Sequence, residues 1–427
     1  MATWTAEVFQ NEYLPDGATD VHAIVTVTCA DSGTAGGGAA DDSSGAAEAI
    51  IIDCSGSMAS PNAKIVAASQ AAATAVNALQ DGTWFTVIAG MGLPQPIYPP
   101  SPGMVQADRR TRAEASRAVA GLQASGGTAI GRWLLAAYEV FNAVPAQQRH
   151  AILLTDGKNE GESPEVLAAA VQQVTGVFQC DCRGVGTDWD VAELRPIANA
   201  LLGTVDLIAD PADMAADFEQ MIQTAMGRGV ADAKLKVWAP QGSQVLFVRQ
   251  VAPTIEELTD RRRAVTPLIS EFPTGAWGDE SRDYHVAVKV GAKPVGSEQL
   301  AARVQLDVDG QVVAQGLVKA RWSDDSALTT RINPAVAHYT GQAELAEVIQ
   351  DGLAAKAAGD EETATLKLGR AAKLAADTGN EEATTRLKKV IDIEDADTGT
   401  VRLKRDASKL DEMALDTSST KTTRVKR

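Results

Sequence analysis

Three short stretches of this 427-residue chain gather oxygen-bearing side chains in an order that suits metal chemistry. In Ile50-Ile-Ile-Asp53-Cys-Ser55-Gly-Ser57-Met58 an apolar, strand-like run ends in Asp-x-Ser-x-Ser just before a helical pattern begins. Ser125-Gly-Gly-Thr128 opens another helical pattern, and Leu153-Leu-Thr155-Asp156-Gly157 ends a second apolar strand. None of these stretches carries His, and the oxygens are hydroxyls and carboxylates. Hard oxygen ligands select magnesium, with manganese or calcium as alternatives, and a compact hydroxyl-rich set that retains several waters suits magnesium best. Taken singly, Asp-x-Ser-x-Ser more often caps a helix than binds a metal. The metal reading therefore depends on whether the three stretches meet in space.

The surrounding pattern is one that makes them meet. From about Ala46 to Arg228 strand-like and helix-like segments alternate: Ala49–Ile52, then Lys64 to Leu79; Trp84–Ile88, then Arg109 to Leu122 and Ile130 to Phe141; Ala151–Leu154, then Pro164 to Val174. The alternation runs on through Phe178–Val185 and Val205–Ile208 to a last helix at Pro211–Met226. Such alternation predicts a mainly parallel sheet covered on both faces, and ligands of open parallel sheets bind at the carboxyl edge of the strands, where all three stretches lie. From about Ala231 strands follow one another without helices, with Asp309-Gly310 as a tight-hairpin signal, which predicts an antiparallel sandwich. Beyond Pro334 the chain turns Ala- and Glu-rich with helical spacing, broken at Gly359-Asp360 and Gly379-Asn380.

The expected architecture is multidomain α/β plus β. Residues 1–30 supply N-terminal strands that pair with the sandwich, 31–45 a flexible linker, and 46–228 a Rossmann-like doubly wound domain inserted in or joined to the sandwich. Residues 229–328 form the sandwich, 334–395 a small helical bundle, and 396–427 a disordered basic tail rich in Ser and Thr.

Asp53, Ser55, Ser57, Thr128 and Asp156 resemble the five positions of the metal-ion-dependent adhesion site of the von Willebrand factor A family. The resemblance spans about Ala46 to Arg228 and extends to Gly184-Val-Gly-Thr-Asp188 and Ile208-Ala-Asp-Pro211. It implies that Ser55, Ser57 and Thr128 touch the metal, that Asp53 and Asp156 act largely through water, and that one coordination position stays open for an Asp or Glu of a partner. The function implied is a divalent-metal-dependent protein-protein interaction module, an intracellular scaffold or adaptor in a signalling or assembly complex, similar to bacterial cytoplasmic members of the family. Some of those work with Ser/Thr kinases, phosphothreonine readers or AAA+ ATPases; an accessory subunit of a MoxR-type or chelatase-type ATPase is the alternative.

A metal-dependent hydrolase is the less favoured class. Asp53 stands where acid-type phosphotransferases keep their nucleophile, but Ser55 occupies the place of their general-acid aspartate, and no phosphate-cradling G-x-x-x-x-G-K-S/T is present. No enzyme activity is expected.

The formal net charge of -17 disfavours nucleic acid and anionic membrane as partners. The first Lys or Arg is Lys64 and no apolar run approaches spanning length, so a soluble cytoplasmic protein is expected. Four cysteines without C-x-x-C and four scattered histidines argue against a zinc site. The cluster Pro94, Pro96, Pro99, Pro100 and Pro102 reads as a rigid surface loop, and Thr417 to Arg427 as a segment a kinase could recognise.

Overall fold

The computed structural model describes residues 2–34, 45–60 and 63–425. The chain forms two compact units: an α/β unit of Ser32–Asp232 with Gly275–Gly278, and a β-rich and helical unit made of the remainder.

The α/β unit is built on a seven-stranded sheet in which Val205–Ile208, Gln179–Val185, Ala146–Thr155, Gly45–Asp53 and Trp84–Gly90 lie side by side in that order, all parallel. Ile50, Ile51 and Ile52 are fully buried, as are Ile152, Leu153 and Leu154 on the neighbouring strand. Because successive side chains of a strand point to opposite faces, an unbroken buried run means both faces are covered. On one face the Ala63–Ala78 helix presents Ile65, Ala68, Ala72, Ala75 and Val76, a helical stripe of small side chains that packs with Phe218, Met221, Ile222 and Ala225 of the Met214–Met226 helix. A core made largely of Ala, Ile, Val and Met is what a chain with 4% aromatic residues can build. The proline-rich stretch differs from expectation: Gln95–Tyr98 adds an antiparallel strand beside Trp84–Gly90, and this edge place tolerates Pro96, which has no N–H to give.

In the second unit, Thr3–Gln10, Asp20–Ala30, Ser281–Lys289 and Gln244–Ala252 form consecutive antiparallel pairs of one sheet. Glu298–Val308 and Gln311–Trp322 form the long hairpin of another, turned by Asp309-Gly310 with both residues at positive φ, the backbone that Asp-Gly sequences favour. The sheets face each other closely enough that a Cβ on Gly316 would lie 2.5 Å from a Val8 methyl. Strands from the first thirty residues and from beyond residue 230 thus share sheets, and the α/β segment lies between them in the chain. The flexible linker expected at 31–45 falls mostly on residues 35–44, which lie outside the described residues.

Three helices follow, Pro334–Ala357, Glu361–Asp377 and Glu381–Val390, separated at the expected breaks, where Gly359 and Gly379 take positive φ and Asp360 and Asn380 cap the next helix. The disordered tail expected at 396–427 is corrected by the structure. Ile391–Asp395 and Thr400–Leu403 form a hairpin, and Lys409–Ser418 is a helix capped by Ser408. Val401 and Leu415 join the core of the three helices with Leu345, Ile349, Leu368 and Leu387. The tail's charges masked the side chains this helix buries, Met413, Leu415 and Thr417, and a ten-residue helix holds in water only because such side chains are packed.

Among the described residues no helix is long and apolar enough to cross a membrane.

Candidate metal centre

Asp53 is the last residue of its strand and is fully buried. Its Oδ1 accepts the Ser55 backbone N–H at 2.7 Å and its Oδ2 the Thr155 hydroxyl at 2.5 Å. Burial pushes its carboxyl above the usual range, opposed by the Ser55 and Thr155 hydrogen bonds and reinforced by the nearby charge of Asp156. Asp156, also fully buried, directly follows the adjacent strand Ala146–Thr155. The chain therefore brings two carboxylates from neighbouring parallel strands to one edge.

The hydroxyls bridge them. The Ser55 and Ser57 hydroxyls lie 2.9 Å apart, and Ser57 Oγ donates to Asp156 Oδ1 at 2.5 Å. Of the five sequence-derived residues, Ser57 alone is exposed, so solvent reaches the cluster through it. Thr128 arrives from a third segment, and backbone hydrogen bonds tie that segment in place: Ser125 N–H to the Cys54 carbonyl at 2.6 Å and Gly56 N–H to the Gly126 carbonyl at 3.0 Å. Gly157 is the common neighbour of the two outlying hydroxyls; a Cβ there would lie 3.3 Å from Ser57 Oγ and 3.8 Å from Thr128 Oγ1. The structure thus links Asp53, Ser55, Ser57 and Asp156 at the carboxyl edge of the sheet and sets Thr128 beside them across Gly157.

A clamp holds Thr128. The helix that follows it, Ile130–Asn142, has Ala129 at its N-cap, which cannot cap it by side chain, and the loop after Asp156 supplies the missing hydrogen-bond partners. Asn159 Oδ1 accepts the Ile130 N–H at 2.8 Å, Glu162 accepts that of Gly131, and Gly161 N–H donates to the Thr128 carbonyl at 2.6 Å. Gly161 is required by proximity, since a Cβ would lie 2.6 Å from that carbonyl oxygen.

Sequence reasoning missed these clamp residues and, nearer the centre, Lys64. Its Nζ donates to Asp156 Oδ2 at 2.8 Å and lies 3.7 Å from Asp188 Oδ2. One signal was available: Lys64 is the first cation of the chain and stands next to Ile65 at the head of a helix whose inward face is otherwise apolar. Cys54, between the site residues, packs into the core with Ile52 and Met58, its thiol pushed up to about 12 by burial and by Asp53. It is chemically quiet. Among the described residues no group of three or more His, Cys, Asp or Glu is placed to hold a metal ion.

The donor chemistry fits a small divalent cation. Every side chain offers oxygen, and the two buried carboxylates are balanced by one ammonium, which leaves one negative charge at the edge of the sheet. Asp53, Ser55, Ser57, Thr128 and Asp156 are the residues that could hold such an ion.

The far end of the same strands carries a second buried charge cluster. His150 Nδ1 lies 2.9 Å from Glu48 Oε1 and its Nε2 3.0 Å from Asp181 Oδ2. Burial works against the imidazolium, but the two carboxylates outweigh it and raise His150 to about 9. The three residues sit on adjacent strands, with Glu48 and His150 buried and the Asp181 side chain still 14% exposed, at the end of the strands away from the metal edge.

A family model described as von Willebrand factor type A domain matches residues 48–207, and one described as von Willebrand factor type A C-terminal domain matches 373–419. The second match takes in the hairpin strand Thr400–Leu403 and the terminal helix. A solved von Willebrand factor type A protein from Catenulispora acidiphila is 46% identical, with TM-score 0.93, over 99% of this chain and 97% of that one. The ArnB paralog VWA2 from Sulfolobus acidocaldarius is similar over 98% of both chains at TM-score 0.59 and 16% identity, a likeness of fold alone. Human COPII-coat protein Sec24c shows a likeness of the same kind, with TM-score 0.51 and 10% identity over 88% of this chain and 57% of that one. No curated protein matches the chain.

Proposed function

We propose, from the premise that this chain belongs to the von Willebrand factor type A family, that it is a binding module whose metal edge captures a carboxylate of a protein partner. Domains of this family are generally non-catalytic and mediate metal-dependent protein interactions in related proteins. In this chain Ser55, Ser57 and Thr128 would hold the ion, while Asp53 and Asp156 would orient its waters. A magnesium bound there supplies a positive charge with an open coordination position. The chain's own part is to fix the oxygens: Asp53 shapes the turn through the Ser55 N–H, Ser57 presents its hydroxyl to solvent, and the loop from Asn159 to Glu162 sets Thr128.

The single observation that carries this reading is the run of short contacts from Ser55 Oγ through Ser57 Oγ to Asp156 Oδ1, which gathers hydroxyl and carboxylate oxygens from two strand ends beside a third segment. The partner's class follows from charge. An ion held mainly by hydroxyls keeps most of its charge and attracts Asp or Glu. A cytoplasmic scaffold in a signalling or assembly complex is the setting that suits a non-catalytic module of this kind.

The test is affinity capture from a native lysate with wild type and Asp53→Ala, each with magnesium and with chelator. A partner retained only by magnesium-loaded wild type supports the reading. Identical retention under all four conditions refutes it and moves the contact to the other unit.

A further inference from the structure

The metal reading of the five residues leaves Lys64 without a role, although its ammonium contacts one of them. Its side chain is only 10% exposed, and an ammonium withdrawn from water is tolerated only against a partner. The partner is Asp156, at 2.8 Å, the same carboxylate whose other oxygen accepts from Ser57. A second carboxylate, Asp188, stands 3.7 Å away with its side chain 70% exposed. The loop that carries Asp188 passes over the lysine stem at Gly186, which takes φ +68° and leaves 4.0 Å between its would-be Cβ and Lys64 Cε. Lys64 is therefore confined between one acceptor that belongs to the metal edge and one that does not.

The charge count gives this position its meaning. Asp53 and Asp156 with Lys64 carry one net negative charge, which a divalent cation converts to one net positive. Without the lysine, the same two carboxylates and cation would be neutral.

We propose that Lys64 is a resident counter-cation that holds Asp156 in the metal-free protein, opposes the incoming divalent ion, and makes the loaded site require an anionic ligand. The inference rests on reading Asp53, Ser55, Ser57, Thr128 and Asp156 as the metal site. It makes the open position selective for a carboxylate over a neutral oxygen, because only the former cancels the excess charge. It also makes magnesium affinity moderate, so that ion and acidic partner bind best together. Asp188 gives the ammonium a second acceptor within reach when Asp156 turns to the ion.

The experiment is calorimetric titration of the full chain with magnesium chloride, for wild type, Lys64→Met, Lys64→Gln, Lys64→Arg and the double variant Ser55→Ala with Ser57→Ala, together with thermal melts in chelator. Lys64→Met and Lys64→Gln should each bind magnesium on the order of tenfold tighter than wild type, and each should melt lower than wild type in chelator. Lys64→Arg, which keeps the charge, should bind within about twofold of wild type. A lysine with a merely packing role would lower the melt without tightening the ion. Unchanged or weaker magnesium binding by a folded Lys64→Gln, or an unchanged melt in chelator, overturns the inference and leaves the metal site standing. If wild type gives no more heat than the double serine variant, the metal reading itself falls, and the inference with it.

Discussion

The buried His150 gives the α/β unit an alkaline limit of stability that can be worked out from the structure. In the fold its imidazolium lies between Glu48 and Asp181 and titrates at about 9, against an ordinary value of 6.5. A base whose folded value is raised stabilises fully below its unfolded value and loses that contribution as pH climbs through the folded one. Between pH 6.5 and 9 the loss comes to about 2 to 3 kcal/mol, an opening equilibrium on the order of a hundredfold larger. Whole-chain unfolding would mix in the second unit, so the assay is hydrogen exchange read by mass spectrometry on peptides covering 45–53 and 146–155, corrected for intrinsic rate. The buried thiol of Cys180, raised by its contact with Cys182 and by burial, adds an alkaline loss of its own above its unfolded value near 9. His150→Gln separates the two: it should start less protected at pH 6.5 and lose little more by pH 9. If the variant declines as steeply as wild type, the imidazolium is not the origin and the reasoning fails.

Three further outcomes are expected. Ser55→Ala with Ser57→Ala should abolish the rise in melting temperature that magnesium gives wild type while the chelated protein melts within about 2 °C of wild type; an intact magnesium response would remove both hydroxyls from the site. Gly161→Ala drives a Cβ to 2.6 Å from the Thr128 carbonyl and should cost about 1 to 3 kcal/mol in urea denaturation and weaken magnesium binding with it, whereas a neutral result would show that Thr128 is not clamped from this loop. Leu415→Ala should destabilise the helical region by about 2 to 4 kcal/mol, read as faster exchange in peptides from Leu345 to Leu368, and no change would return the terminal helix to the status of a loose tail.

What the sequence made legible was whatever is local or periodic. Asp53, Ser55 and Ser57 sit within five residues at the end of an apolar run, and the alternation of strands and helices was enough to bring Thr128 and Asp156 to the same edge. Lys64 escaped because a lysine in a first helical turn ordinarily points to water; only the height of the neighbouring strand end, a tertiary fact, turns it inward to Asp156. Asn159, Gly161 and Glu162 read as plain loop residues because their task is to satisfy N–H groups of a helix thirty residues earlier. Glu48, His150 and Asp181 could be paired only once strand register was known. The terminal helix was lost to composition: its four charged residues equal its four apolar ones in number, and the packing of Met413, Leu415 and Thr417 sets the outcome.

The long continuous segment of the α/β unit begins and ends at the same spot, for Ser32 and Gly229 touch so closely that a Cβ on Gly229 would overlap the Ser32 carbonyl. A segment of about two hundred residues whose termini meet asks no stretch of whatever flanks it. It can be grafted into an exposed hairpin of an unrelated host, or removed and replaced by a short glycine bridge, without changing the distance its neighbours must span. The same geometry lets such a cassette diverge at its metal edge while its attachment points stay as they are, so new binding specificities can arise without renegotiating the sheets on either side.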